Sequence, residues 1–186
     1  VTDCGTVIHP IGLGAQMLLA NTFHLHERPG EEAVAKSGGL HGFSGWRGPW
    51  LTDSGGYQVT SLAERARVSE EGVAFASPLD GRRRLLTPEG AVAIQEALGA
   101  DIAMVLDECI PASAGDEARV RDAMQRSLRW AERCALARRR GDQALFGIVQ
   151  GGSDPALRRD SAKALTQLGF DGVAHGGLGL GEEGPL

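Results

Sequence analysis

No apolar run in this 186-residue chain is long enough to span a membrane, and no basic, apolar leader of the secretory kind opens it, so no membrane partner is expected. Cysteine is scarce. Cys4, Cys109 and Cys134 show no metal-ligand spacing and cannot pair off evenly. This excludes a disulfide framework and a cysteine-built metal centre, and it fits a reducing, cytoplasmic setting. An excess of positive charge is also missing. The net charge of −5 argues against holding nucleic acid by bulk electrostatics, although it allows a local basic patch. Internal repeats are absent, and no G-x-G-x-x-G follows the first strand-like run, so dinucleotide binding lacks its marker.

Glycine is what the chain has in excess: 27 of 186 residues, about twice ordinary usage. The glycines follow no period, which rules out collagen-like sequence, and they cluster beside apolar runs, as tight turns and close backbone approaches require. The length suffices for one domain with a sizeable core. The chain opens on Val1 and ends in "GGLGLGEEGPL" with nothing after it to pack, which reads as a fragment.

Five short, nearly continuous apolar runs read as parallel strands buried on both faces: 17–21, 50–53, 102–107, 145–150 and 172–175. Several end in a polar residue: Asn21, Asp53, Asp107, Gln150. Helical patterns separate the later runs. Thr87-Pro88-Glu89 is an N-cap, an N1 proline and an acidic first turn, with Gly99 as the stop. A long helix after Asp116 presents Val120, Met124, Ser127, Trp130, Ala131 and Cys134 on one face. Another starts at Asp154-Pro155, buries Leu157, Ala164, Leu165 and Leu168, and closes at Gly169. Asp80-Gly81 reads as a hairpin turn inside a small β-excursion. Alternating strand and helix predicts an α/β fold with a parallel sheet, either a (β/α) barrel or a doubly wound sheet. Both architectures build their sites at strand C-terminal ends.

The polar residues at those ends are the candidates. Asp53 in "LTDSGGYQ" is either a turn-capping carboxylate or a base held at a rigid strand end. Gly55 and Gly56 would let the backbone approach a flat ligand, and Tyr57 is either a core aromatic or a stacking face. Asp107 and Glu108 follow a buried strand, where acids are costly unless paired or wet, and they must point opposite ways, so only one is expected to face the strand ends; the alternative to a functional role is a salt bridge to a neighbouring arginine. Gln150, followed by two glycines, offers a donor and an acceptor. The loop after His175 offers backbone N–H groups, while His175 itself reads as a satisfied core or mouth histidine. Arg82, Arg83 and Arg84 form an exposed basic run that could meet phosphate. Arg138, Arg139 and Arg140 read as a solvated helix end.

Six segments together resemble the tRNA-guanine transglycosylases, the queuine/archaeosine tRNA-ribosyltransferases: "LLANTFHLHERPG", "HGFSGWRGPWLTDSGGYQ", "EEGVAFASPLDG", "LTPEGAVAIQEALGADIAMVLDEC", "LFGIVQGG" and "GFDGVAHGGLGLGE". They run through nearly the whole chain in the family's order. The resemblance implies a (β/α)8 TIM barrel, of which residues 1–186 would supply about five strands and a small β-hairpin insertion. It implies exchange of guanine at the anticodon wobble position of tRNA for a 7-deazaguanine by double displacement. Asp53 matches the proton-handling aspartate, and Ser54, Gly55, Gly56 and Tyr57 match the loop around the base, with Tyr57 stacking. Asp107 matches the carboxylate reading the base edge, Gln150 the side chain at the base oxygen, and Gly177 a backbone N–H contact there. The implied partners are the tRNA anticodon loop, guanine and the 7-deazaguanine base, with a homodimer when full length.

The family's nucleophilic aspartate and its C-terminal zinc ligands have no counterpart in residues 1–186. No cofactor is therefore expected in this chain, zinc is expected only through ligands beyond it, and the 186 residues alone are expected to be unstable and inactive in base exchange. His175 stands where the family has an aliphatic residue, and Gly179 where it has a small alanine- or serine-like one. Three other readings stay open: a non-catalytic guanine- or tRNA-binding subunit of the same family, a transferase inserting deazaguanine into DNA, and an unrelated barrel enzyme holding a phosphorylated substrate on the glycine loop.

Overall fold

The computed structural model describes residues 14–62, 66–110 and 116–177. Cys4, Gly179 and the glycine loop from residue 178 onward lie outside the described residues. The five apolar runs form one parallel sheet in the order β1 (Leu18–Asn21), β2 (Trp50–Asp53), β6 (Ile102–Met104), β7 (Ala144–Val149) and β8 (Gly172–His175). A second, antiparallel sheet holds β3 (Arg67–Val68), β4 (Val73–Ala76) and β5 (Arg83–Leu86). It is the β-excursion expected between β2 and β6. Asp80-Gly81 is not a two-residue turn, however. Ala76 pairs with Arg83, leaving a six-residue loop in which Asp80 accepts a bond from Arg82 N and Gly81 takes φ +71°.

The helices start and stop where the capping chemistry places them. Thr87 Oγ1 accepts from Gly90 N at 3.0 Å to open α5 (Pro88–Leu98), and Gly99 closes it at φ +71°. Asp116 accepts from Ala118 N to open the 21-residue α6 (Glu117–Ala137). Asp154 accepts from Ala156 N and Leu157 N to open α7 (Pro155–Thr166). Helix α7 ends earlier than expected: Gln167 is its C-cap, Gly169 lies beyond it, and Ala164 and Leu168 are only half-buried. Three six-residue helices stand between β1 and β2, where none was expected: α1 (Thr22–Glu27), α2 (Glu31–Lys36) and α3 (Gly39–Ser44). Segments that short do not complete a repeat of the apolar pattern. Helix α4 (Gly56–Leu62) begins inside the "SGGYQ" loop itself.

Pairing in register places Trp50, Thr52, Ala103, Leu145, Gly147 and Val149 on one face of the sheet. All six are buried. Gln95 of α5 bonds to Thr52 here, and a Cβ on Gly147 would strike Phe170 and Leu165, which is why glycine stands there. The opposite face carries Leu19, Leu51, Ile102, Met104, Phe146 and Ile148, none of them fully buried. Leu19 is 64% exposed.

Gln95 also shapes the sheet. Strands β2 and β6 pair only through Leu51–Ile102 and Thr52–Ala103. Beyond that, the Gln95 carboxamide takes over the ladder: its Oε1 accepts from Met104 N (3.0 Å) and Thr52 Oγ1 (2.9 Å), and its Nε2 donates to Met104 O (2.9 Å) and Ala91 O (3.0 Å). Each of these backbone and side-chain groups is thereby satisfied in a buried position. The chain after Met104 leaves the sheet sooner than the expected strand end at Asp107, although Val105 N still donates to Phe146 O.

Candidate functional site

Because all five strands run parallel, their C-terminal ends share one edge, and the candidate residues stand along it. Asp53 ends β2. Its Oδ2 accepts from Asn21 Nδ2 at 2.8 Å and its Oδ1 from Thr22 N at 3.2 Å, while Thr22 Oγ1 donates to the Asp53 carbonyl. Asn21 also caps α1 by accepting from His24 N, so the turn from β1 into α1 holds this carboxylate. Burial pushes the Asp53 pKa up. The bonds from Thr22, Gly55 and Asn21, with the neighbouring His24, pull it back without cancelling that effect.

The next three residues are buried, and the packing around the two glycines adds a structural reason for their presence. Gly55 takes φ +79°, and a Cβ there would stand 2.9 Å from Phe23 N and Cβ. One on Gly56 would stand 2.9 Å from the Asp107 carbonyl and Leu106 Cδ1. On the side where a side chain would project, both glycines therefore meet the protein's own atoms, which packs the loop against α1 and the segment after β6. Ser54 Oγ accepts from Gly56 N at 3.4 Å. Tyr57, in the first turn of α4, is 43% exposed rather than a core aromatic.

Asp107 and Gln150 meet directly: Gln150 Nε2 donates to Asp107 Oδ2 at 2.5 Å. Asp107 keeps some contact with solvent, but its carboxylate lies deep among protein atoms. That desolvation raises its pKa from 3.8 to about 6 despite the bond from Gln150, and the nearby Asp53 and Glu108 charges push the same way. Gln150 is itself buried, with its backbone N–H donating to Ser161 Oγ of α7. Its carboxamide lies against the loop after β8. A Cβ at Gly176 would stand 2.4 Å from Gln150 Nε2, and one at Gly177 2.9 Å from its Oε1. Arg158 of α7 donates to Gly152 O (3.2 Å) and Gly176 O (3.0 Å), tying the loops after β7 and β8 together.

Asp107, Gln150 and Gly177 therefore form one cluster. Asp53 stands beside it, linked by charge and by the Gly56–Asp107 contact, with its carboxylate held towards β1. As side-chain alternation requires, Glu108 points the other way, to arginines of α6. His175 is exposed and its Nδ1 lies 3.4 Å from Arg158 Nη2, so it is not a core residue. Arg84 pairs with Glu27 and Asp80 and borders a mostly apolar cavity of about 270 Å³ that Ser54 also lines, whereas Arg82 and Arg83 are exposed. The run at 138–140 is no mere solvated end. Arg138 pairs with Asp171, Arg140 with Asp142, and Glu96 accepts from the backbone of Arg139 and Arg140. The sequence reading missed Asn21 and Thr22 as partners of Asp53, Gln95 as a spacer and Gly176 as the bed of Gln150. Of these, only Asn21, a polar strand end, carried a local signal.

A model of the queuine tRNA-ribosyltransferase family matches residues 6–185. The chain belongs to that family. A queuine tRNA-ribosyltransferase of Thermosynechococcus vestitus is 56% identical over 174 residues, covering 94% of this chain and 46% of the relative. One from Thermus thermophilus is 56% identical over 170 residues, covering 91% and 44%. One from Moorella thermoacetica is 53% identical over 171 residues, covering 92% and 46%. The chain thus spans a little under half the length of these members of the family. Among the described residues, no three His, Cys, Asp or Glu gather so as to hold a metal ion, and the buried Cys134 thiol, pushed up to about 12, is a poor ligand. No helix among the described residues is long and apolar enough to cross a membrane.

Proposed function

We propose that this chain is part of a tRNA-guanine transglycosylase and supplies its base-reading pocket, within a (β/α)8 barrel to which the five described strands belong. The observation carrying the reading is the cluster of Asp107, Gln150 and Gly177 at adjacent strand ends. Guanine presents N1–H and an exocyclic amine side by side. An ionised Asp107 accepts both in a charge-assisted pair, and a base lacking that pair of donors leaves the carboxylate unsatisfied. A carboxamide nitrogen carries two hydrogens, so Gln150 can keep one on Asp107 and offer the other to the base oxygen, with Gly177 N–H beside it. The target nucleotide must be flipped out of its stack to reach this slot, and the exposed Tyr57 is available as a cover.

In the proposed reaction, an aspartate outside these residues attacks the ribose C1′ and the bond to guanine breaks. Guanine takes a proton as it leaves. The incoming 7-deazaguanine gives up its ring N–H proton and displaces the aspartate. Asp53, with a pKa raised by burial, is the group proposed to handle that proton. The substrate is tRNA, in a cytoplasmic setting. Incorporation of labelled guanine into tRNA tests the reading. The full-length protein is expected to incorporate it, Asp107→Ala to lose the activity, and residues 1–186 alone to be inactive. A full-length Asp107→Ala variant with undiminished exchange overturns the proposal.

A further inference from the structure

Glu108 does not face the proposed pocket, yet it is buried and both of its carboxylate oxygens are held. Its side chain is 2% exposed. Arg119 and Arg126 of α6 each close on a different carboxylate oxygen, and the Glu108 backbone N–H donates to Ser127 Oγ at 2.9 Å. Three groups of one helix thus grip a single residue, and Arg126 reaches on to Glu70 beside β4. A buried ion pair of this kind is a weak source of stability, because desolvating the charges offsets most of their attraction. What it offers is geometry. The segment after Met104 has left the sheet ladder, and among the described residues the bond from Val105 N to Phe146 O is the last strand-to-strand bond before Asp107.

We infer that Glu108 is a positioning residue: its clasp on α6 fixes the backbone one residue away, so that the Asp107 carboxylate meets Gln150 with a free edge turned to the base. The inference deepens the base-reading role proposed for Asp107. It predicts that loosening the clasp impairs recognition in a protein that remains folded.

The test is Glu108→Gln in the full-length protein, with two readouts. Guanine affinity by calorimetry is expected to fall about 10- to 100-fold, the usual penalty for misplacing a reacting or reading group by about an ångström. The Gln150 side-chain amide resonances are expected to be distinct and slow to exchange in the wild type, because the carboxamide is buried and bonded to Asp107, and to shift in the variant towards those of a solvated glutamine. Should Glu108→Gln not fold, Arg126→Gln, altered at the helix surface, is read in the same way. A folded variant that keeps the Gln150 signature and binds guanine within about twofold of wild type shows Glu108 to be ordinary structural cement and overturns the inference. Wild-type protein that fails to bind guanine at all counts against the base-reading role instead, while the Gln150 signature still decides whether Glu108 positions Asp107.

Discussion

Gln150 Nε2 donates to Asp107 Oδ2 at 2.5 Å, joining two residues 43 positions apart at the ends of the adjacent strands β6 and β7. The bond orients the carboxamide, but it does not repay the desolvation of the carboxylate, whose pKa stays raised to about 6. The Asp107–Gln150 pair is therefore built at some expense to the fold.

One consequence is a stability that depends on pH. The unfolded chain ionises Asp107 near 3.8, the folded chain only near 6. Between those values the folded form holds a proton that the unfolded form has lost, so the contribution of this group to stability declines as pH rises from about 4 to about 6. Above that window the buried charge costs on the order of 2–3 kcal/mol. Asp107→Asn is expected to raise stability at neutral pH by roughly 1–3 kcal/mol, measured by urea denaturation, while abolishing guanine binding.

Base recognition should follow the same titration in the opposite sense. Only ionised Asp107 accepts two donors, so guanine affinity is expected to be about tenfold weaker near pH 5 than near pH 7.5. Calorimetric titration at the two pH values measures this, and a flat profile would show that another group reads the base.

Gly176→Ala crowds the bed of Gln150. The new Cβ would stand 2.4 Å from Gln150 Nε2 and 2.6 Å from Ile148 Cγ2, so the carboxamide and the isoleucine methyl must both give way. Gly176 is not among the glycines with positive φ, so backbone strain does not confuse the result. The expected outcome is a stability loss of about 1–3 kcal/mol, with guanine affinity falling further than that loss explains.

Asn21→Ala removes both a bond to Asp53 and the cap of α1. About 1 kcal/mol of stability is expected to go with the cap. Losing a donor to the carboxylate raises the Asp53 pKa further, so the limb of the exchange pH–rate profile that reports Asp53 should move to higher pH.

Gln95→Leu tests the spacer between β2 and β6. It leaves Met104 N, Met104 O and Thr52 Oγ1 to find other partners in a buried setting, of which Thr52 retains only a 3.4 Å approach to Ile102 O. The expected cost is at least about 3 kcal/mol, read from the urea midpoint.

The elements were legible where the code is local. Five apolar runs gave five strands, although only one face of the sheet is buried where both were expected to be, and Thr87-Pro88 and Asp154-Pro155 each gave a helix start, because apolar runs and capping depend on a few consecutive residues. The alternation that sets Asp107 and Glu108 on opposite sides was legible for the same reason. Three six-residue helices were not, being shorter than the repeat that would betray them. Sequence by itself thus determined the strands, the long helices and the residue types at the strand ends. Tertiary structure alone decided that Gln150 reaches Asp107, that the Gly55 and Gly56 spaces are filled by Phe23, Leu106 and Asp107, that Gln95 parts two strands and that Glu108 finds Arg119 and Arg126. Each of those contacts depends on which strands pair, in what register, and where a helix docks. These relations are set by the packing of the whole sheet and leave no mark in any one stretch of chain.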